Sequence, residues 1–216
     1  MQHTRIQGQR IQLRENENLS ELFEFYYGIL HVTVVYYDKK QKRTKERQEG
    51  YMQVLYKSTR GKGETVTASM AILKGLSEDG GLFVPTSIPK LDVPVEKLAQ
   101  MTYQETAYEV MSRFLTDFTE EELKNCIANA YDEKFDTTEI APLHEADGAY
   151  YLELFHGSTI AFKDMALSIL PHLMTTAARK NQVKNDIVIL TATSGDTGKA
   201  ALAGFADVPG TRIIVF

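Results

Sequence analysis

The sequence predicts an α/β fold in which a helical N-terminal domain is followed by the start of a parallel-sheet domain. Two amphipathic helices occupy the middle of the chain, and a strand, a glycine-containing turn, a helix and a second strand occupy its end. These last elements form a βαβ unit, which requires parallel strands. We expect an extension over residues 1–51, the helical domain over 52–145, and an incomplete sheet domain over 146–216.

Composition excludes several classes of protein. The chain has 216 residues, of which 43% are hydrophobic and 25% charged, as in soluble globular proteins with an ordinary core. Its net charge of -5 gives no reason to expect a nucleic acid or a membrane as partner. A single cysteine excludes a disulfide framework and a cysteine-based zinc site, and we expect no metal. With no membrane-length apolar run and no secretion signal, the expected location is the cytoplasm.

Residues 1–51 differ from the remainder because they are net basic. The run Asp38–Arg47 is read as a solvated segment, with a phosphate-binding patch as the alternative, and 29–37 is one possible strand with little to pack on. Arg47–Gly50 can be encoded by a purine-rich run of the kind that recruits bacterial ribosomes. We therefore hypothesise that this extension is translated upstream sequence and that Met52 is the native start.

The helical domain is predicted from caps and periodicity. Thr102 with Glu105, and Thr119 with Glu122, form the Thr-x-x-Glu pattern of a capping box, and apolar residues recur behind each at helical spacing. Cys126 lies on the second apolar stripe, so a buried inert thiol is favoured over a catalytic one. The other predicted elements are a helix over 67–76, strands over 82–84 and 150–154, one helix over 164–180 despite Pro171, a strand over 186–192 buried on both faces, a helix over 199–206 and a strand over 211–216.

The turn Thr193–Gly198 invites comparison with a nucleotide-binding P-loop because Gly198-Lys199 follows a strand and opens a helix. The P-loop motif requires a glycine where Thr193 stands and a serine or threonine where Ala200 stands, so this interpretation fails. The free N–H groups of a helix start preceded by hydroxyls and glycines can still bind a carboxylate or a phosphate. A purely structural turn remains the alternative.

Lys163 lies in the run LFHGSTIAFKDMAL, at the predicted start of a helix. A lysine there is usually a solvated charge. Its apolar neighbours would desolvate an ammonium and favour the neutral amine that Schiff-base chemistry requires; they are Ile160, Ala161, Phe162, Met165 and Ala166. An amine on one loop and an anion-binding helix start after the next strand together indicate a catalytic site more strongly than either does alone.

Both runs resemble the threonine synthase family. LFHGSTIAFKDMAL is similar to its pyridoxal-phosphate lysine motif, and ILTATSGDTGKAALAGF to the loop that holds substrate beside the cofactor. LYKSTRG and DGGLFVP resemble the start of the same family, so the resemblance covers 52–216 and none of 1–51. Ser158 stands where many members have proline.

The resemblance implies the tryptophan-synthase β-subunit fold, pyridoxal 5'-phosphate as cofactor, and conversion of O-phospho-L-homoserine and water to L-threonine and phosphate. Lys163 would match the lysine that binds the cofactor and then moves protons as general base and acid. The residues implied to contact the cofactor are Lys163, Ser194, Asp196 and Thr197. Those implied to contact the substrate are Ser194, Gly195, Asp196 and Thr197, with His156 and Ser158 as candidates for phosphate contacts, for which loop packing is the alternative.

Members of the family are roughly twice this length or more, and their loop that grips the cofactor phosphate lies in the later half. Because Phe216 falls in a strand that should lie inside a sheet, we expect an N-terminal fragment that is inactive without the C-terminal half. The alternatives are another pyridoxal-phosphate enzyme such as a serine/threonine dehydratase, a non-catalytic phosphate- or nucleotide-binding module, and an interaction domain that uses the helices over 102–131.

Overall fold

The structure is a computed structural model, and it describes residues 21–27, 30–36, 53–193 and 195–216. In the first two ranges it defines only the backbone of strands β1 (Glu21–Tyr27) and β2 (Leu30–Tyr36). The basic run Asp38–Arg47, the segment Arg47–Gly50 and Met52 lie outside the described residues.

A small antiparallel pair of strands begins the helical domain. Strand β3 (Tyr56–Ser58) pairs with β4 (Phe83–Pro85), and α1 (Ala68–Lys74) lies between them in the chain. The Thr67 hydroxyl caps α1 by accepting a hydrogen bond from the Met70 amide. The predicted helix is confirmed, and β4 extends to Pro85.

Three helices follow: α2 (Val95–Leu98), α3 (Tyr103–Phe114) and α4 (Glu120–Ala130). Both predicted capping boxes are present, since Thr102 and Glu105, and likewise Thr119 and Glu122, exchange side-chain-to-backbone hydrogen bonds. Cys126 is 3% exposed, and burial raises the pKa of its thiol. The thiol therefore packs as a small apolar group, as predicted.

A two-stranded hairpin leads from the helices toward the Lys163 run. It consists of β5 (Leu143–Ala146) and β6 (Ala149–Leu152), whose turn uses Asp147 and Gly148, both at positive φ. The predicted strand over 150–154 is thus found near its expected place, and its partner β5 was not predicted. All four residues of β6 are exposed.

The prediction of a single helix over 164–180 is wrong. The structure has two helices, α5 (Asp164–Leu167) and α6 (Leu170–Lys180), and Pro171 lies in the first turn of α6. Proline has no N–H to bond the carbonyl of the residue four positions earlier, which is that of Leu167. The helix is therefore interrupted before Pro171, and the Leu167 carbonyl instead faces Gly204 in the helix over 196–205.

The parallel unit is β7 (Ile187–Ala192), α7 (Asp196–Phe205) and β8 (Thr211–Val215), with β7 and β8 parallel as predicted. Strand β7 is buried on one face and only partly on the other, so burial on both faces is not observed. Helix α7 begins at Asp196 rather than at Lys199.

The sheet has the order β1-β2-β7-β8, in which β2 pairs antiparallel with β7. The strand expected over 29–37 is therefore present as β2 and has two strand neighbours, contrary to the expectation of little to pack on. The core of the described residues lies between the helices and β7; its central members include Leu73, Leu123, Ile127, Leu173, Ala177, Ile187 and Ile189.

Candidate active site

Asp164 organises the loop that precedes Lys163. Its side chain is 4% exposed, and one carboxylate oxygen accepts a 2.8 Å hydrogen bond from the Thr159 amide. The other oxygen accepts a 2.6 Å bond from the Thr159 hydroxyl. A buried carboxylate needs such partners, so these bonds fix the position of Thr159 against the start of α5.

Gly157 explains why the loop can close so tightly. A Cβ atom at this position would lie 2.5 Å from Asp164 Cβ and 2.6 Å from Asp164 Oδ2. No side chain fits there, so glycine is required by close approach.

Ile160 has an unusual backbone conformation, with a φ of 64°. A β-branched residue in this left-handed region is strained, and such residues occur where the surroundings determine the conformation. The Ile160 amide donates to the Gly157 carbonyl at 3.0 Å, and its side chain is 71% exposed. Hydrogen bonds between the preceding Thr159 and Asp164 therefore hold the loop in this left-handed conformation, and burial of the Ile160 side chain does not.

Lys163 follows this loop directly and is the N-cap residue of α5. Its carbonyl accepts from the amides of Ala166 and Leu167, so the backbone is fixed by the helix. Lys163 is a half-buried residue, and its ammonium lies over the ring of Phe162, 4.3 Å from the centroid. Phe162 is 62% exposed, so within the described residues the predicted apolar surroundings of Lys163 are open on one side.

Tyr131 connects this site to the helical domain. Its hydroxyl donates a 2.8 Å hydrogen bond to the Met165 carbonyl in α5, and its ring packs against Tyr103 with centroids 4.9 Å apart. The side chain is 6% exposed, so the bond ties the end of α4 to the helix that carries Lys163.

His156 is held by two carboxylates. Its Nδ1 lies 2.5 Å from Asp136 Oδ1 and its Nε2 lies 2.9 Å from Glu153 Oε2. These bonds, first that to Glu153 and then that to Asp136, raise the pKa of His156 above its ordinary value. Both ring nitrogens are thus engaged in holding the loop in this conformation.

The predicted anion-binding turn lies at the start of α7. Gly195 is the N-cap residue and has no side chain with which to cap the helix, and a Cβ there would meet no described atom within 4 Å. Asp196 is exposed and Thr197 is 9% exposed in the first turn. Ser194 lies outside the described residues. The turn therefore offers open space beside helix N–H groups, as an anion site requires.

Lys199 links the two predicted motifs. Its ammonium donates a 3.1 Å hydrogen bond to the carbonyl of Thr159. Further along, α7 and α5 approach so closely that a Cβ on Gly204 would lie 2.2 Å from the Leu167 carbonyl oxygen. The structure thus brings the Lys163 loop and the 195–199 turn together along one helix pair.

Ser158 lies beside these contacts, because Asp164 and Gly204 line the same cavity. It is exposed and helps to line a cavity of about 210 Å³, together with Lys134, Ser168 and His172. Burial, and then the charge of Lys134, lower the pKa of His172. Ser158 therefore faces a polar cavity behind the loop.

Sequence reasoning missed three residues that build this site, namely Thr159, Asp164 and Tyr131. Asp164 adjoins Lys163 in the quoted run, and a carboxylate there could have been proposed as the anchor of the loop. Nothing in the sequence indicates the bond from Tyr131, because it connects distant segments.

Comparison with known proteins relates most of the chain to one family. Residues 55–131 match the family model described as the N terminus of threonine synthase. Threonine synthase of Schizosaccharomyces pombe is 41% identical over 162 residues, which are 70% of this chain and 31% of that protein. The chain is a homologue of the N-terminal part of threonine synthases. It spans about a third of the length of such relatives.

Solved threonine synthases have the same fold over this part. The pyridoxal-phosphate-bound threonine synthase of Brucella melitensis superposes with a TM-score of 0.67 at 33% identity, covering 75% of this chain and 35% of that one. The yeast threonine synthase gives a TM-score of 0.68 at 32% identity over 74% of this chain and 35% of that one. The predicted α/β class is confirmed, and the matched region is part of a larger threonine synthase fold.

The described residues form neither a metal site nor a membrane-spanning helix. Within 53–193 and 195–216, no cluster of His, Cys, Asp and Glu side chains has the geometry to hold a metal ion. None of the helices in the part of the chain that the structure describes is long and apolar enough to cross a membrane.

Proposed function

We propose that this chain forms part of a threonine synthase, in which pyridoxal 5'-phosphate supports conversion of O-phospho-L-homoserine and water to L-threonine and phosphate. The observation that carries the proposal is the pairing of two family motifs, 154–167 and 189–205, through the Lys199–Thr159 hydrogen bond. Homology to threonine synthases over about 70% of this chain supports the same assignment.

The described residues fit the cofactor. The ammonium of Lys163 contacts the Phe162 ring and is otherwise unengaged among the described residues, so the amine is available to an aldehyde. Beside the start of α7, the turn has open space at Gly195 among the described residues. A lysine amine can react with the aldehyde of such a ligand, and an anion-binding turn can bind its acidic groups.

Lys163 and the turn at the start of α7 have different roles in this proposal. Lys163 would hold the cofactor through Nζ and would carry protons to and from the substrate as general base and acid. Ser194, Gly195, Asp196 and Thr197 orient the substrate carboxylate and the cofactor through the turn at the start of α7. When bound, pyridoxal phosphate supplies an electron sink, which permits loss of the substrate phosphate and addition of water.

His156 and Ser158 have supporting roles in this proposal. His156 holds the loop start through Glu153 and Asp136, and Ser158 lies beside it on the polar cavity. Because the chain spans about a third of its relatives' length, we propose that segments corresponding to their remainder complete the grip on the cofactor phosphate. The 216-residue chain should then bind the cofactor weakly and release no phosphate from O-phospho-L-homoserine.

A spectroscopic titration tests the proposal. Pyridoxal phosphate is added to the wild-type chain, to Lys163→Ala and to the matched control Lys97→Ala, which changes an exposed lysine on α2. The change in visible absorbance on covalent binding should disappear in Lys163→Ala and persist in Lys97→Ala. Equal spectra for all three proteins would contradict the assignment of Lys163. Phosphate release at an ordinary enzymatic rate would contradict the proposed inactivity.

A further inference from the structure

Lys199 is a basic residue near the N-terminus of α7. Lys199 lies in the first turn of α7, where the partial positive charge of the helix N-terminus disfavours a cation. Asp196, in the same turn, is the residue type that this position favours. A residue that violates a local preference is expected to have a compensating tertiary contact.

That contact is the 3.1 Å hydrogen bond from Lys199 Nζ to the Thr159 carbonyl. The bond spans 40 positions of sequence and engages the ammonium with a backbone carbonyl of the loop that precedes Lys163.

The amide, the hydroxyl and the carbonyl of Thr159 each form a hydrogen bond. The amide and the hydroxyl donate to Asp164, at 2.8 Å and 2.6 Å, and the carbonyl accepts from Lys199. The residue is 7% exposed, and the strained Ile160 follows it. Because strain of this kind persists only where neighbouring contacts determine the backbone, these three bonds are what keep Ile160 in its conformation.

We infer that Lys199 is a positioning residue, which couples the substrate-side turn at 195–199 to the loop that sets Lys163. The inference rests on the proposed function for its catalytic meaning, but the coupling itself is a property of the chain alone. Lys199 touches neither substrate nor cofactor in this account; it acts through Thr159 and Asp164.

Amide hydrogen exchange followed by mass spectrometry tests the coupling. In Lys199→Met, peptides covering residues 157–163 should exchange about fivefold faster, the factor that corresponds to loss of a typical hydrogen bond. Lys199→Arg retains a donor and should restore slow exchange. Lys97→Met is the matched control, and its exchange in this loop should equal that of the wild type.

The result that overturns the inference is unchanged exchange over 157–163 in Lys199→Met. Exchange of residues 200–205 in α7 serves as a folding control, and uniform acceleration of both segments in Lys199→Met and Lys199→Arg alike would also contradict it. A second readout is the rate at which borohydride fixes pyridoxal phosphate on Lys163, which should fall in Lys199→Met and recover in Lys199→Arg. Absence of fixation on wild-type Lys163 would contradict the proposed function and leave the exchange result to decide the coupling.

Discussion

The Thr159 hydroxyl donates a 2.6 Å hydrogen bond to Asp164 Oδ1. This bond closes the loop that runs from Gly157 to Lys163. The same carboxylate accepts the Thr159 amide at 2.8 Å. Asp164, which adjoins the candidate catalytic Lys163, thus holds the loop in the conformation that positions this lysine.

Asp164→Ala should destabilise the chain, because it leaves the buried amide and hydroxyl of Thr159 without acceptors. The expected loss is about 1–3 kcal/mol in the free energy of unfolding, measured by urea denaturation. Asp92→Ala is the matched control: its side chain is 67% exposed and lies 3.7 Å from Lys90, so its loss should be near zero. Equal effects of the two substitutions would contradict the role of Asp164.

Gly157→Ala should also destabilise the chain, because the added Cβ would lie 2.5 Å from Asp164 Cβ. Overpacking of this kind costs about 1–3 kcal/mol, measured by thermal or urea unfolding. The neighbouring exposed substitution Ser158→Ala serves as control and should cost much less. A Gly157→Ala protein as stable as the wild type would show that the loop can open without penalty.

Ile160→Gly should stabilise the chain, although most substitutions to glycine destabilise. Ile160 has a φ of 64° and an exposed side chain, so glycine relieves strain and sacrifices little burial. The gain should be about 1 kcal/mol in the free energy of unfolding. Ile88→Gly, at a position 79% exposed, is the matched control and should lower stability. A loss at both positions would mean that Ile160 is not strained.

His156 should make stability depend on pH. Its pKa in the folded chain is raised above the ordinary 6.5 by Glu153 and Asp136, so the contribution is complete below that value and is lost as pH rises through the folded pKa. The stability difference between wild type and His156→Gln should therefore be larger at about pH 5.5 than at about pH 9. A pH-independent difference for His156→Gln would contradict the ion-pair geometry.

Local signals in the sequence were sufficient for the helical domain. Each Thr-x-x-Glu pattern specifies contacts within four consecutive residues, so both capping boxes could be predicted and are present. The βαβ unit was predicted for a similar reason, since a strand, a glycine turn and a small-residue helix are each local patterns.

The single helix predicted over 164–180 differs from the structure because Pro171 lies in the first turn of a second helix, α6. The proline frees the Leu167 carbonyl, and Gly204 of α7 approaches that carbonyl closely. A helix break therefore accompanies the contact between α5 and α7. Interhelical approach of this kind depends on the three-dimensional fold, which single-sequence patterns do not specify.

The candidate site divides in the same way. Lys163 and the 193–198 turn were indicated by residue type and order, whereas the Lys199–Thr159 bond joins segments 40 positions apart. Only the fold brings these segments together, and therefore the role of Lys199 could not be predicted from the sequence as that of Lys163 was.

The most direct test of the central claim is to trap the adduct of pyridoxal phosphate with the wild-type chain by borohydride reduction and to map the modified lysine by peptide mass spectrometry. The account predicts that label concentrates on Lys163, because its amine follows a loop fixed by Thr159 and Asp164. Label distributed over exposed lysines such as Lys90 and Lys97, with no preference for Lys163, would contradict it.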